Sequence, residues 1–189
     1  MEATEILMAE HRVIERVLDA LEQAAMRLAS GGPVPADFFL KAAEFIKGFA
    51  DGYHHKKEED VLFAELVAGG FSRESGPVAV MLGQHEEGRR LTRAMRESAL
   101  RMRDGDVAAA GQVARYALSF VSLLRDHIRK EDSILFPLVD RTFSPERQTA
   151  VAAAFEHIEH EETGEGVHEK YLALASELEQ VIASRRAPA

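Results

Sequence analysis

Cysteine and tryptophan are both missing from this chain of 189 residues. Without thiols there is no disulfide framework, no iron–sulfur cluster and no cysteine nucleophile. Proline is scarce, at 6 residues. No segment approaches the roughly 18 consecutive apolar residues needed to span a bilayer. An excess of positive charge is missing as well: 23 Lys and Arg stand against 32 Asp and Glu, a net charge of −9. That balance argues against nucleic acid and against an anionic membrane surface. The opening MEATEILMAEH is acidic and lacks the basic-then-apolar layout of a secretory signal. These absences lead to the expectation of a cytoplasmic, acidic protein.

What is present is helical. Aliphatic residues, alanine and charged helix formers dominate. Turn signals at SGGPVP, GGFSRESGP, DGD and TFSPE divide the chain into helices of about 4–29, 37–68, 77–103 and 106–140. A fifth helix follows at about 145–162, and a sixth begins near 166 after TGEG. Asp37, Asp106 and Ser144 are candidate N-caps, Pro145 fits a first helical position, and Asp51-Gly52 is a candidate bend. Four long helices with short connections predict an all-α, up-and-down antiparallel four-helix bundle. The expectation is a single domain over 1–189, with its bundle core at about 4–140. Two additional C-terminal helices at about 145–186 extend it, and the final SRRAPA reads as a frayed tail.

One passage is written twice. HHKKEEDVLF begins at His54 and HIRKEDSILF begins at His127. His54 matches His127, Lys57 matches Lys130, Glu58 matches Glu131, Leu62 matches Leu135 and Phe63 matches Phe136. At about 100° per residue, His127 falls in the middle of an apolar stripe that includes Val113, Phe120, Leu123 and Ile134. Glu131, one turn on, shares that face, whereas Asp132 is rotated away. A carboxylate is expensive to bury alone, so a His and a Glu on one core-facing turn require a metal or a tight hydrogen-bond partner. His54 and Glu58 repeat the geometry. His55 and Glu59 have the same local spacing, and it is the alignment of the two copies that favours His54/Glu58.

His11 lies on the stripe of Leu7, Leu18 and Ala25, and His85 on that of Val78, Met81 and Ala99. A single inward histidine is most often a satisfied core residue; four, with two matched carboxylates, point to metal binding. His168 heads the last helix and is a candidate fifth histidine ligand. His157 and His160, flanked by acids, read as a solvated face. Imidazole with carboxylate suits iron, zinc, copper or manganese. A structural zinc site is disfavoured, because such sites are usually tetrahedral with Cys and His.

The order His-x-x-x-Glu-x-x-x-Leu-Phe, on the second and fourth helices with a lone inward histidine on the first and third, resembles the hemerythrin-like (HHE cation-binding) domain over about 4–140. That resemblance implies a non-haem di-iron centre. Two iron ions would be held by His11, His54, Glu58, His85, His127 and Glu131, with Glu58, Glu131 and an oxo or hydroxo group bridging. His168 would decide whether one or two coordination positions stay open. The resemblance implies O2 binding or sensing, reaction with NO or peroxide, or iron delivery for repair. Met81 and Arg89 flank His85, and Glu131 stands on the fourth helix; both look more like the stress and repair branch than like the oxygen carriers. The expected partners are O2, NO or peroxide and an unidentified redox or iron-acceptor protein. The amphipathic fifth and sixth helices leave a homodimer open. A ligand-binding protein is expected ahead of a turnover enzyme such as a peroxide or NO reductase or an oxidase. A metal-dependent signalling module is a further reading. Tyr53, Tyr116 and Tyr171 are candidate donors to the bridging groups.

Overall fold

The computed structural model describes residues 2–164 and 166–184, without the side chains of residues 161–163. The TGEG break contains Glu165 and the SRRAPA tail contains residues 185–189, so both expectations lie partly outside the described residues. Helix α1 is Ala3–Ala29. The second arm is built from α2 (Ala36–Phe45), wide π-helical turns at Ile46–His55 and Glu58–Leu62, and α3 (Phe63–Ala68). Helix α4 is Gly76–Arg103. The fourth arm runs through α5 (Ala109–Lys130), a π turn at Glu131–Leu135, and α6 (Phe136–Thr142). Helices α7 (Pro145–His157) and α8 (Val167–Ala183) follow. Among the described residues there is no strand, and no helix is long and apolar enough to cross a membrane.

The caps follow the sequence in part. Ser144 caps α7, accepting from the Arg147 amide at 3.3 Å, with Pro145 next. Pro35, rather than Asp37, precedes α2, and Asp37 sits in its first turn. Asp106 lies ahead of α5 and accepts from the Ala108 amide at 3.0 Å. The break expected at Asp51-Gly52 is a π-helical turn.

The arms close a ring in which α1 packs on α5, α5 on α4 and α4 on α2. Arms one and four run antiparallel: Thr4 bonds Asp140, His11 bonds Asp132 and Asp19 pairs with Arg125. Helix α8 packs against both α1 and α2, and α7 closes over α1. Gly48 makes the α8 contact possible, because a Cβ there would overlap the Tyr171 ring.

The apolar interior comes in two pieces. One holds Ile14, Leu18, Phe49, Leu91, Phe120 and Leu124; the other holds Leu7, Leu62, Phe63, Met81, Leu135 and Phe136. Every arm crosses from one piece to the other through a buried histidine: His11 between Leu7 and Ile14, His54 between Ala50 and Leu62, His85 between Met81 and Leu91, His127 between Leu124 and Leu135. The layer between the pieces is polar.

Candidate metal centre

Seven side chains form that layer: His11, His54, His55, Glu58, His85, His127 and Glu131, none more than 5% exposed. Two groups of four have ligand atoms lying within 4.8 Å of one another. His11, His54, Glu58 and Glu131 make the first; His55, Glu58, His85 and His127 make the second. Glu58 belongs to both. Glu131 also spans them, with its two oxygens 3.3 Å from His11 Nε2 and 3.1 Å from His127 Nε2. Glu58 lies between His85 Nε2, at 3.3 Å, and His54 Nε2, at 3.7 Å.

The far side of each ring is anchored by a two-fold scheme. His11 Nδ1 donates to Asp132 at 2.7 Å and His85 Nδ1 to Glu59 at 2.6 Å. Each acceptor directly follows a central glutamate. His54 Nδ1 donates to Glu10 at 2.8 Å and His127 Nδ1 to Gln84 at 3.2 Å. Each of these directly precedes an inward histidine. Phe136 stacks on His11 and Phe63 on His85, with centroids 5.5 and 5.9 Å apart. The written repeat is thus a repeat in space. Acceptors on Nδ1 fix the tautomer of a ligating imidazole and direct its Nε2 lone pair inward.

Those lone pairs need a cation. His11 Nε2 faces His54 Nε2 at 3.0 Å, and His85 Nε2 faces His127 Nε2 at 3.1 Å. None of the four oxygens of Glu58 and Glu131 has a hydrogen-bond partner, nor has either nitrogen of His55. Six orphaned, buried polar atoms in one layer are costly unless something positive binds them. A metal ion fits that requirement, and so in its absence does a proton. Burial opposes charging His11, but the neighbouring carboxylates of Asp132 and Glu131 outweigh it and lift its pKa to about 10. His85 rises against its burial to about 9 through Glu58 and Glu59. Burial likewise opposes ionisation of Glu131, yet His127 and His11 hold its carboxyl well below the usual range. His55 goes the other way: burial, then the neighbouring His85, His54 and His127, keep it neutral with its lone pair available.

Two residues differ in place from the sequence reading. His55 lies in the layer beside His54, where the second copy has the core residue Ile128. Ile134, expected on the buried stripe, is 61% exposed while Leu135 is buried. The cause is the same in both arms: a π turn bonds i to i+5 and abandons the 100° spacing. A doubled histidine entering the wide turn was the available signal.

His168 belongs to neither group of converging ligand atoms. Its ring stacks on Tyr53 at a centroid distance of 5.7 Å and lies tilted against Phe49 at 5.8 Å, and it lines a cavity with Glu10 and Glu159. His157 and His160 are exposed. No tyrosine reaches Glu58 or Glu131 by hydrogen bond. Tyr53 lies under the Lys57 ammonium, 3.8 Å from the ring centroid. Lys57 is itself fully buried and bridges Glu10 to Glu159. Burial, then Glu159 and Glu10, raise the Tyr53 pKa.

The hemerythrin HHE cation-binding domain model matches residues 2–139, the span that carries all seven side chains. The chain belongs to that family. Uncharacterised proteins of Mycobacterium tuberculosis and Mycobacterium bovis are similar to it, each 26% identical over 178 residues, or 94% of this chain and 69% of the relative. No solved structure was found to match it. Cation binding and the helical bundle come with the family, and the buried His/Glu layer supplies two groups of side chains that could hold a metal ion.

Proposed function

We propose that this HHE domain is a non-haem di-iron protein that handles O2, NO or iron. Its ions would be held by His11 and His54 on one side, His55, His85 and His127 on the other, and Glu58 and Glu131 between. The observation that carries the reading is the set of unpartnered oxygens on Glu58 and Glu131 between opposed imidazole nitrogens. Five imidazoles and two carboxylates without thiolate suit iron among the transition metals. When bound, two irons would supply one-electron redox chemistry and a position for a small ligand.

The chain's own contribution is to hold and to exclude. Asp132, Glu10, Glu59 and Gln84 fix the rings from behind. The layer is buried between the two apolar halves, and burial strengthens each charge interaction inside it. Two formal negative charges among five neutral rings make a donor set less anionic than a carboxylate-rich ferritin site, and this favours the ferrous state. Protons held at His11 and His85 leave as cations enter.

The decisive measurement is metal content, followed by optical spectra without and with air. About two irons per chain, with near-ultraviolet bands that reverse on deoxygenation, would establish O2 binding. Irreversible oxidation would assign redox, NO or iron-delivery chemistry instead. A folded protein that takes up no iron would end the reading.

A further inference from the structure

A cavity of about 450 Å3 opens between the second arm and α4 and ends on His55 and His85. Its wall carries four cations, Lys47, Arg89, Arg93 and Arg96, against one acid, Asp51. Arg89 is committed, bonded to Asp51 at 2.7 Å and to Glu59 and Glu86 at 2.6 Å each. Lys47, Arg93 and Arg96 are exposed and form no ion pair among the described residues. Three uncompensated cations gathered at one opening are unusual on a chain of net charge −9. A cleft lined by one sign of charge focuses the field and concentrates the opposite ion.

Two further features belong to the same cavity. His55, buried at its inner end, has no hydrogen bond on either nitrogen, and its Nδ1 lies 3.6 Å from Asp51. Gly88 also lines it, within the 28-residue α4. Glycine inside a helix is about 1 kcal/mol worse than alanine. A Cβ there would meet only Phe120 at 3.6 Å and Leu123 at 4.0 Å, which is ordinary contact. No backbone angle or clash requires glycine at this position, and its effect is to leave the space open.

We infer that this cavity is an entrance to the centre, and that its mouth speeds the entry of a small monovalent anion while leaving that of a neutral gas unaffected. Lys47, Arg93 and Arg96 gather the anion at the mouth, and it passes Gly88 to the His55/His85 end of the layer. Arg89 is shared by Asp51, Glu59 and Glu86, so the excess of positive charge at the mouth comes from Lys47, Arg93 and Arg96. This deepens the di-iron reading and rests on it.

Azide is a suitable probe, read in iron-loaded protein by stopped-flow absorbance after metal content has been counted. The association rate is expected to fall about tenfold from low to high salt. In the triple variant Lys47→Gln, Arg93→Gln, Arg96→Gln it should start low and lose that dependence, while the rate for NO stays unchanged. Gly88→Leu should slow both ligands at every salt concentration. Unchanged azide rates in the triple variant, or an equal fall for NO, would overturn the anion entrance while leaving the di-iron reading intact. Should no iron bind, that reading fails by itself, and the azide infrared stretch in metal-free protein still decides the entrance. A saturable shifted band that disappears in the triple variant supports it, and a band that persists refutes it.

Discussion

Asp132 accepts the Nδ1 proton of His11 at 2.7 Å. The preceding residue, Glu131, sets an oxygen 3.3 Å from Nε2 of the same ring. Successive residues of the fourth arm therefore hold one imidazole at both ends. Asn at 132 keeps the acceptor's shape and removes its charge. Asp132→Asn is expected to weaken metal binding by about 10- to 100-fold, measured by competition with a chelator. Glu59→Gln, its counterpart at His85, should do the same, and equal affinities in wild type and both variants would remove this role.

His55 stands where the second copy places Ile128, a residue that is 2% exposed in the core. The exchange His55→Ile therefore puts a fitting side chain into a matched position. It also deletes two buried nitrogens that make no hydrogen bond. Metal-free protein should gain about 1–3 kcal/mol, read by denaturant titration, while iron content drops from about two to about one per chain. Full iron content in this variant would exclude His55 as a ligand. His168→Ala should leave iron content as it is, since the ring packs against Phe49 and Tyr53 instead.

The sequence was most readable where helices are regular. Leu7, His11, Ile14 and Leu18 obey the 100° rule and all are buried, so α1 could be oriented from its letters alone. The doubled His-x-x-x-Glu was readable for a different reason, because two copies at one register leave little freedom in alignment. His55 and Ile134 were not readable, since each depends on a π turn that periodicity does not reveal. The outer acceptors were hidden too. Asp132 and Glu59 point away from their own helix's apolar face and find their histidines on a neighbouring arm, a relation that exists only after packing.

Protons and metal compete in this layer, and the sign can be worked out. His11 and His85, with pKa values lifted to about 10 and about 9, stand above their unfolded value of 6.5. Their contribution to metal-free stability is complete below pH 6.5 and is lost as pH rises through 9 to 10. Glu131, Glu59 and Asp132 are depressed, so their contribution is present above the ordinary carboxylate values and is lost in acid. The melting temperature of metal-free protein should fall steadily from pH 7 to 10, whereas that of iron-loaded protein should not. Parallel curves would show that the histidine protons are not the groups displaced.

Lys57 is fully buried between Glu10 and Glu159. Lys57→Met leaves the Glu10 carboxylate with His54 alone and should cost about 3–5 kcal/mol, measured by urea unfolding. Adding Glu10→Gln should recover part of that loss, because no buried charge is then left unbalanced. Additive losses in the double variant would mean that the two residues do not act as a pair.

Gly48 sits where a Cβ would strike the Tyr171 ring of α8. Gly48→Ala is expected to destabilise the protein by about 1–3 kcal/mol through overpacking. Tyr171→Ala in the same chain should relieve much of it, and the thermal melts of the four proteins in that cycle give the coupling directly.

A bundle whose oily interior is cut by a belt of histidines and glutamates has two small cores in place of one large core. Each is modest, and all four arms are threaded through both. Whether the molecule melts as one body or splits along the belt therefore depends on what fills the belt. An ion seated there would act as a rivet. Loss of the ion would turn the same plane into a fault line, so the lifetime of the folded chain would follow the supply of metal.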